Sequence, residues 1–403
     1  MKQSADVVII GGGITGTSIA FRLAKRGVTN VVLLEASQLA AGGTGKSSGV
    51  LRQFYLLPSV VSMAREGIIW YRDFGDMVEE GDASFVNSGI VVGGTAAHRE
   101  RFLRGIALQH EIGANSRLLE REELSSMLPH LAVEDLDCAL YESEAGYADP
   151  GGACIALAGA ARRAGVSIVQ GVPATGLLVD AKGVAGVVTP DGSIATRTVV
   201  NAAGLWADRV AQFAHVKLPI EISRHQLITV QRPPQIGADH PVFSDAVNLV
   251  YMRPESTTQF LIGSTDPADS RDLVDPDHCP NDAEFSKIVE LLERSSRRVP
   301  CLADAGLVAN WSGAYDSTPD GFPILGKAPE VPGLYLATGL SGHGFKLAPA
   351  ISRMMVGLIV DGLADPVLDL LRLSRFSEGA MIDSPTTTTL TAMHSSIDGT
   401  VGS

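Results

Sequence analysis

Three glycines near the start of the chain carry the first chemical signal. In Gly11-Gly12-Gly13-Ile14-Thr15-Gly16 the residues Gly11, Gly13 and Gly16 have G-x-G-x-x-G spacing. Gly11 permits a tight turn, Gly13 lets the backbone approach a pyrophosphate, and Gly16 lets a helix pack closely on a strand. The N–H groups of Ile14 and Thr15, at the start of that helix, lack intrahelical partners and can face phosphates. Glu35 ends the next apolar run. A carboxylate there accepts hydrogen bonds from ribose hydroxyls and disfavours a 2′-phosphate, which argues against NADP. The stretch from Ala36 to Gly49 is then dense in small residues, among them Gly43, Thr44, Ser47 and Ser48, with Lys46 between them. A second loop of this kind can bring further backbone donors to a longer cofactor. NAD enzymes normally continue with more β-α units, so FAD is expected, with an NAD-dependent dehydrogenase as the alternative.

These residues need a strand–turn–helix–strand unit to hold them. Val7–Ile10 reads as a buried parallel strand, Ile14–Arg26 as a helix and Val31–Leu34 as the next strand, the length of one crossover. Further along, Ser59–Phe74, Arg99–Ile112, Gly152–Ala164 and Ala283–Arg298 read as helices. Gly165 fits a helix C-cap. Phe85–Gly94, Val166–Val169, Gly183–Thr189 and Thr198–Asn201 read as strands, and Leu218 to Ser264 is mostly strand, broken at Pro233-Pro234. Leu334–Thr338 reads as a last core strand, followed by a Gly-rich loop and a helix from about Pro349. The Ser/Thr/Gly-rich stretch 377–403 reads as a tail with little core of its own.

The 403 residues are 45% apolar and 19% charged, enough for two domains around sizeable cores. A net charge of −13, with no Lys/Arg run, argues against a nucleic-acid partner. The cysteines Cys138, Cys154, Cys279 and Cys301 form no metal-ligand spacing, so no metal site is expected, and free thiols in a reducing cytoplasm are. No apolar run reaches the ~18 residues of a membrane span, and the N-terminus is not built as a signal peptide.

Several segments together resemble one family. Asp6–Glu35, Gly42–Gly49, Val199-Val200-Asn201-Ala202-Ala203-Gly204-Leu205-Trp206-Ala207 and Thr318-Pro319-Asp320-Gly321-Phe322-Pro323-Ile324-Leu325-Gly326 look like the D-amino-acid oxidase superfamily of flavoenzymes. Gly339-Leu340-Ser341-Gly342-His343-Gly344-Phe345-Lys346 narrows the likeness to the sarcosine oxidase and dimethylglycine dehydrogenase branch, including sarcosine oxidase and proline dehydrogenase β subunits. The resemblance implies an α/β plus α+β fold. A Rossmann-like FAD-binding domain would come from residues 1–84, 145–215 and 323–376, and a substrate domain on a mainly antiparallel sheet from 85–144 and 216–322. It implies cofactor contacts at Val172, Ala202, Ala203, Gly204 and Trp206, and again at Gly339, Ser341, Gly342, His343, Gly344, Phe345 and Lys346.

The implied chemistry is oxidation of an amino acid's C–N bond by hydride transfer to flavin N5. Secondary or N-methyl amines such as sarcosine, proline or dimethylglycine are the expected substrates, and O2 or another acceptor takes the electrons. Arg52 and Lys346 match the family's carboxylate-binding pair. Tyr251 and His225 fall near positions that face substrate and flavin. Where the branch can tether its flavin through His or Cys, this chain has Lys46 and, in Trp311-Ser312-Gly313-Ala314-Tyr315, no Cys, so a non-covalent FAD is expected. The stretch Gln259-Phe260-Leu261-Ile262-Gly263 lacks the lysine that assists oxygen reduction in monomeric sarcosine oxidases, which favours a dehydrogenase over a fast oxidase. The alternatives are a D-amino-acid or glycine oxidase and, in another class, an electron-relay or non-catalytic subunit of a larger complex. Partner subunits or a homo-oligomer are both compatible with this resemblance.

Overall fold

The computed structural model describes residues 2–383, so the expected tail 377–403 lies outside the described residues from 384 onward. Two large sheets organise the chain. The first has six strands in the order Ile324–Lys327, Leu334–Thr338, Val199–Asn201, Val7–Ile10, Val31–Glu35 and Ser167–Gln170. Every neighbouring pair is parallel except the antiparallel pair Ile324–Lys327 with Leu334–Thr338. Parallel strands are buried on both faces, which is why Val7–Ile10 and Val31–Leu34 are continuously apolar. Val7, Ile9, Val31 and Leu33 point into one core and Val8, Ile10, Val32 and Leu34 into another. The first core is closed by the helices Ile14–Lys25, Pro150–Arg163 and Gly344–Asp361. The second is closed by the helix Ala207–Gln212 and a three-stranded sheet of Gly176–Asp180, Gly183–Thr189 and Gly192–Ala195.

The second large sheet has eight strands: Leu307–Ser317, Glu221–Gln231, Gln259–Ser264, Val250–Pro254, Val242–Asp245, Ile90–Gly94, Cys138–Glu142 and Ser116–Glu120, in spatial order. It is antiparallel except where Val242–Asp245 runs parallel to Ile90–Gly94. The two-residue period of a strand divides its faces. Val91, Phe243, Met252 and Ile262 pack against Ile288 and Leu291 of the helix Phe285–Arg298. Ile90, Val92, Val242, Ser244 and Tyr251 face the other way, into a cavity.

Three differences from the sequence expectations have physical causes. The last long helix begins at Gly344, not near Pro349, and holds Pro349 inside it. Proline cannot donate to the carbonyl four residues back. That carbonyl, on Phe345, instead accepts a hydrogen bond from the Tyr71 hydroxyl at 2.9 Å. The strand expected over Phe85–Gly94 is confined to Ile90–Gly94, because Gly89 adopts φ +75° after Val86 has bridged to Tyr147. The helix expected from Gly152 starts at Pro150, where the Asp149 carboxylate accepts from the Gly151 N–H as an N-cap. No helix among the described residues is long and apolar enough to cross a membrane.

Candidate active site

Two cavities lie side by side between the large sheets. One, of about 660 Å3, runs along the C-terminal end of the parallel sheet. The other, of about 470 Å3, is roofed by the loop before the long helix and floored by the eight-stranded sheet. Ser47, Tyr315, Gly342 and Phe345 line both, so the two meet there.

The larger cavity begins at the glycine turn. Gly11 has φ +113°, and a Cβ on it would lie 2.3 Å from the Ala202 carbonyl oxygen, so only glycine fits. A Cβ on Gly16 would lie 2.0 Å from the Gly11 carbonyl oxygen, which explains the close helix–strand approach. Gly11, Gly13, Ile14, Thr15, Glu35 and Ala36 line the cavity. So do Gly43, Thr44 and Ser47 from the small-residue loop, and Ala202, Ala203, Gly204 and Trp206 from the end of a third strand. The Glu35 carboxylate accepts from the N–H groups of Gly12 (2.7 Å) and Ser37 (2.8 Å), which fixes it at the strand end. Thr44 Oγ1 accepts from the Ile14 N–H at 3.0 Å and ties the second loop to the helix start.

Two polar atoms on this wall test whether a dinucleotide fits. Thr15 Oγ1 and Asp316 Oδ2 are buried and have no hydrogen-bond partner among the described residues. Native interiors rarely leave such atoms unpaired, so each points to a bound group. Thr15, in the first turn of the helix, is placed for a phosphate oxygen. Asp316, at the far end near Gly342, is placed for a hydroxyl or N–H donor. The residues fit FAD over the whole length of the cavity, from Glu35 to Phe345.

Nine residues expected at the cofactor do not line this wall, and five of them line neither cavity. Gly16 is spent on packing. Lys46 turns outward and donates to Asn281 Oδ1 at 2.7 Å. Gly49 has φ +68° and sits against the Ala148 carbonyl. Val172 donates its N–H to the Glu35 carbonyl at 3.1 Å, while the adjacent Pro173 and Ala174 reach the cavity. Gly339 has φ +64° and sits against Thr318. Ser48, Ser341, His343 and Lys346 line the smaller cavity instead; Gly342 and Phe345 line both, and Gly344 the larger.

The smaller cavity gathers Arg52, Lys346, His343, Tyr251 and His225. Arg52 lies with its guanidinium carbon 4.5 Å from the Tyr55 ring centre and donates to the Phe54 carbonyl. Lys346 is 7% exposed, and its ammonium makes no ion pair among the described residues. Burial, with the Arg52 charge adding to it, holds the Lys346 pKa well below the ordinary lysine value. An arriving carboxylate would reverse this by favouring the ammonium. His343 is held well below the usual histidine range by burial, then by Lys346 and Arg52, and is therefore neutral. Its Nδ1 lies 3.1 Å from the Tyr55 hydroxyl. The site thus combines the Arg52 guanidinium and the Lys346 amine, neither in an ion pair among the described residues, with a neutral imidazole.

The aromatic walls are set by strand register. Tyr251 stands opposite Gly263, where a Cβ would lie 2.4 Å from the tyrosine ring, so the glycine admits the ring across the sheet. His225 stacks on Tyr315 with ring centres 3.7 Å apart, and burial lowers its pKa to about 4. A Cβ on Gly342, which has φ +77°, would lie 2.6 Å from the Tyr315 ring. Sequence reasoning missed Tyr55, Tyr315, Asp316 and Ser244. Only Tyr315 had a local signal, since it sits within the segment Trp311–Tyr315 already singled out. Among the described residues no three potential metal ligands come together.

The sequence matches the FAD dependent oxidoreductase family over residues 6–358. It is similar to the mitochondrial sarcosine dehydrogenase of Homo sapiens, 29% identical over 96% of this chain and 43% of that protein. The chain therefore spans less than half the length of that relative. Among solved structures it is similar to L-proline dehydrogenase from P. horikoshii, with TM-score 0.87 and 26% identity over 94% of this chain and 99% of that one. It is also similar to glycine oxidase from Geobacillus kaustophilus, with TM-score 0.81 and 26% identity over 93% and 99% of the two chains.

Proposed function

The chain belongs to the FAD dependent oxidoreductase family, and we propose that it oxidises the C–N bond of an amino acid, preferentially a secondary or N-methyl amine such as sarcosine, proline or dimethylglycine. The observation that carries this reading is the junction of the two cavities. A dinucleotide-shaped cavity opens, at Tyr315 and Gly342, onto a chamber whose Arg52 guanidinium and Lys346 amine suit a carboxylate. Bound FAD would supply the hydride acceptor. Arg52 offers a planar fork to the substrate carboxylate and Lys346 a point charge. Neutral His343, steadied by Tyr55, can accept a hydrogen bond or proton from the amine, which must be unprotonated to react. Tyr251 and the His225–Tyr315 stack would exclude water and orient the amine.

The flavin is read as dissociable, because the larger cavity is lined by no Cys or His. Denaturation in acid should leave the protein pellet colourless. The domain split, with FAD bound by 1–84, 145–215 and 323–376 and substrate by 85–144 and 216–322, is supported by the residues that make up the two sheets. Oxidation of a primary amino acid is the second reading, favoured by the glycine oxidase that the chain covers almost end to end. A cytoplasmic or other reducing compartment suits the four free cysteines. The test is anaerobic mixing of the FAD-loaded protein with sarcosine, dimethylglycine, proline, glycine and D-alanine. Flavin bleaching by a secondary or tertiary amine is expected, and bleaching by none of the five would refute the proposal.

A further inference from the structure

The smaller cavity is much larger than sarcosine requires. Its 470 Å3 falls in the ~300–1,000 Å3 range of sites for drug-sized ligands. Arg52, Lys346 and His343 occupy one side of it, and the sheet face extends beyond them. That face is not uniformly apolar. Ile90 and Val92 point into the cavity from one strand, and Val242 and Ser244 from its neighbour. Ser244 stands opposite Val92 on one side and Tyr251 on the other.

Ser244 is 4% exposed, and its hydroxyl has no hydrogen-bond partner among the described residues. A cavity wall meant for hydrocarbon alone would do better with Ala or Val at this position, since a buried hydroxyl is expensive to leave unpaired. Val242, two residues earlier on the strand, shows that an aliphatic residue is accommodated on the same face.

We infer that the substrate extends past its reacting C–N bond by several carbon atoms, over Ile90, Val92 and Val242, and presents a hydrogen-bonding group to the Ser244 hydroxyl. This rests on the smaller cavity being the amino-acid site proposed above. The class is an amino acid with a polar-tipped substituent; sarcosine, whose substituents are too short to reach the sheet, presents the same carboxylate and C–N bond and would react as a weaker-binding member of that class. Ser244 is then a specificity-determining residue, in contact with substrate but remote from the transferred hydride.

Carboxylates without an amine separate this inference from the oxidation chemistry. Acetate, 4-methylpentanoate and succinamate can each bind Arg52 and Lys346 without turnover, and the last two have nearly the same shape. The FAD-loaded protein is titrated with each while the flavin absorbance is followed. The expected result is that 4-methylpentanoate binds at least about tenfold more tightly than acetate, the gain from burying its added carbons. Ser244→Ala should weaken succinamate by roughly two- to tenfold, the net effect of one hydrogen bond, and leave 4-methylpentanoate as tight or tighter. Ser244→Thr, which keeps the hydroxyl, should retain the succinamate affinity. Acetate binding as tightly as 4-methylpentanoate, or Ser244→Ala weakening both long ligands equally, would overturn the inference. Failure of all three carboxylates to perturb the flavin would overturn the amino-acid site itself and this inference with it, whereas binding without bleaching by any amine would sink the oxidation chemistry alone.

Discussion

Lys346 and Asp316 are ionisable residues that the fold buries without an ion pair among the described residues. For Lys346 the cost is repaid only when a carboxylate arrives. Between its depressed folded value and the ordinary lysine value, the unfolded chain binds a proton that the folded chain does not. Stability therefore falls as pH drops through that window. Lys346→Met should raise the melting temperature of the FAD-free protein and, in the loaded protein, weaken acetate by roughly ten- to 150-fold, the worth of one charged hydrogen bond. Weaker binding without the thermal gain would contradict the burial of an unpaired amine. Asp316 has the opposite sign. Burial, partly offset by nearby N–H groups of the loop 339–341, raises its pKa from 3.8 to about 6. The folded state holds the extra proton between those values, so stability declines as pH rises across them, by about 3 kcal/mol in total. Asp316→Asn should flatten that decline in the FAD-free protein, and melting curves from pH 4 to pH 7 will show whether it does.

At the level of elements, the nucleotide unit was legible because everything it needs is local. Gly11, Gly13, Gly16 and Glu35 sit within one crossover; the glycines answer backbone demands that a side chain would violate, and Glu35 places a carboxylate at the strand end. The substrate chamber was only partly legible. Ser244 faces Val92 because two distant segments pair in one register, and nothing near residue 244 announces that. The strand Leu307–Ser317, which brings Tyr315 and Asp316 to the junction, interleaves Ala, Asn, Ser and Gly with its apolar residues and shows no clean alternation. Sequence alone misplaces the start of the long helix because Pro349 is a good first residue of a helix. Its true tolerance comes from another element: Tyr71, on the helix Pro58–Arg72, supplies the hydrogen bond that Pro349 cannot. Tyr71→Phe should then leave the Phe345 carbonyl unpaired and cost ~1–3 kcal/mol in chemical denaturation. Adding Pro349→Ala restores an N–H at the right position, and the double variant should recover most of that loss. If Pro349→Ala changes stability equally whether or not Tyr71→Phe is also present, the two residues are not coupled in this way. The same helix pair places Lys346, since a Cβ on Gly67 would lie 2.0 Å from the Lys346 carbonyl oxygen.

At the scale of the whole molecule, the cofactor cavity has walls from both large sheets. Gly11, Glu35 and Ala202 come from the parallel sheet, and Ala314, Tyr315 and Asp316 from the edge strand of the antiparallel one. A dinucleotide seated there would add to a core that already joins the sheets, since Ile90, Val92, Leu140 and Val242 of the antiparallel sheet cluster with Ile9, Val31 and Leu33 of the parallel one. Some protein contacts already join the two halves. Arg375 is fully buried and grips the Asp320 carboxylate with two hydrogen bonds, at 2.8 Å and 2.9 Å, while also donating to the Phe322 carbonyl. These bonds anchor the segment that leads from the antiparallel edge strand back to the parallel sheet. They add to a core that is already continuous between the sheets. Calorimetry should therefore find the FAD-free protein unfolding in a single step. FAD at roughly 100 times its dissociation constant adds about 2.7 kcal/mol to the folded state, and because that energy is shared across both walls, it should raise this one transition without splitting it. Two separate transitions, of which FAD shifts only one, would place the cofactor's contacts on a single sheet.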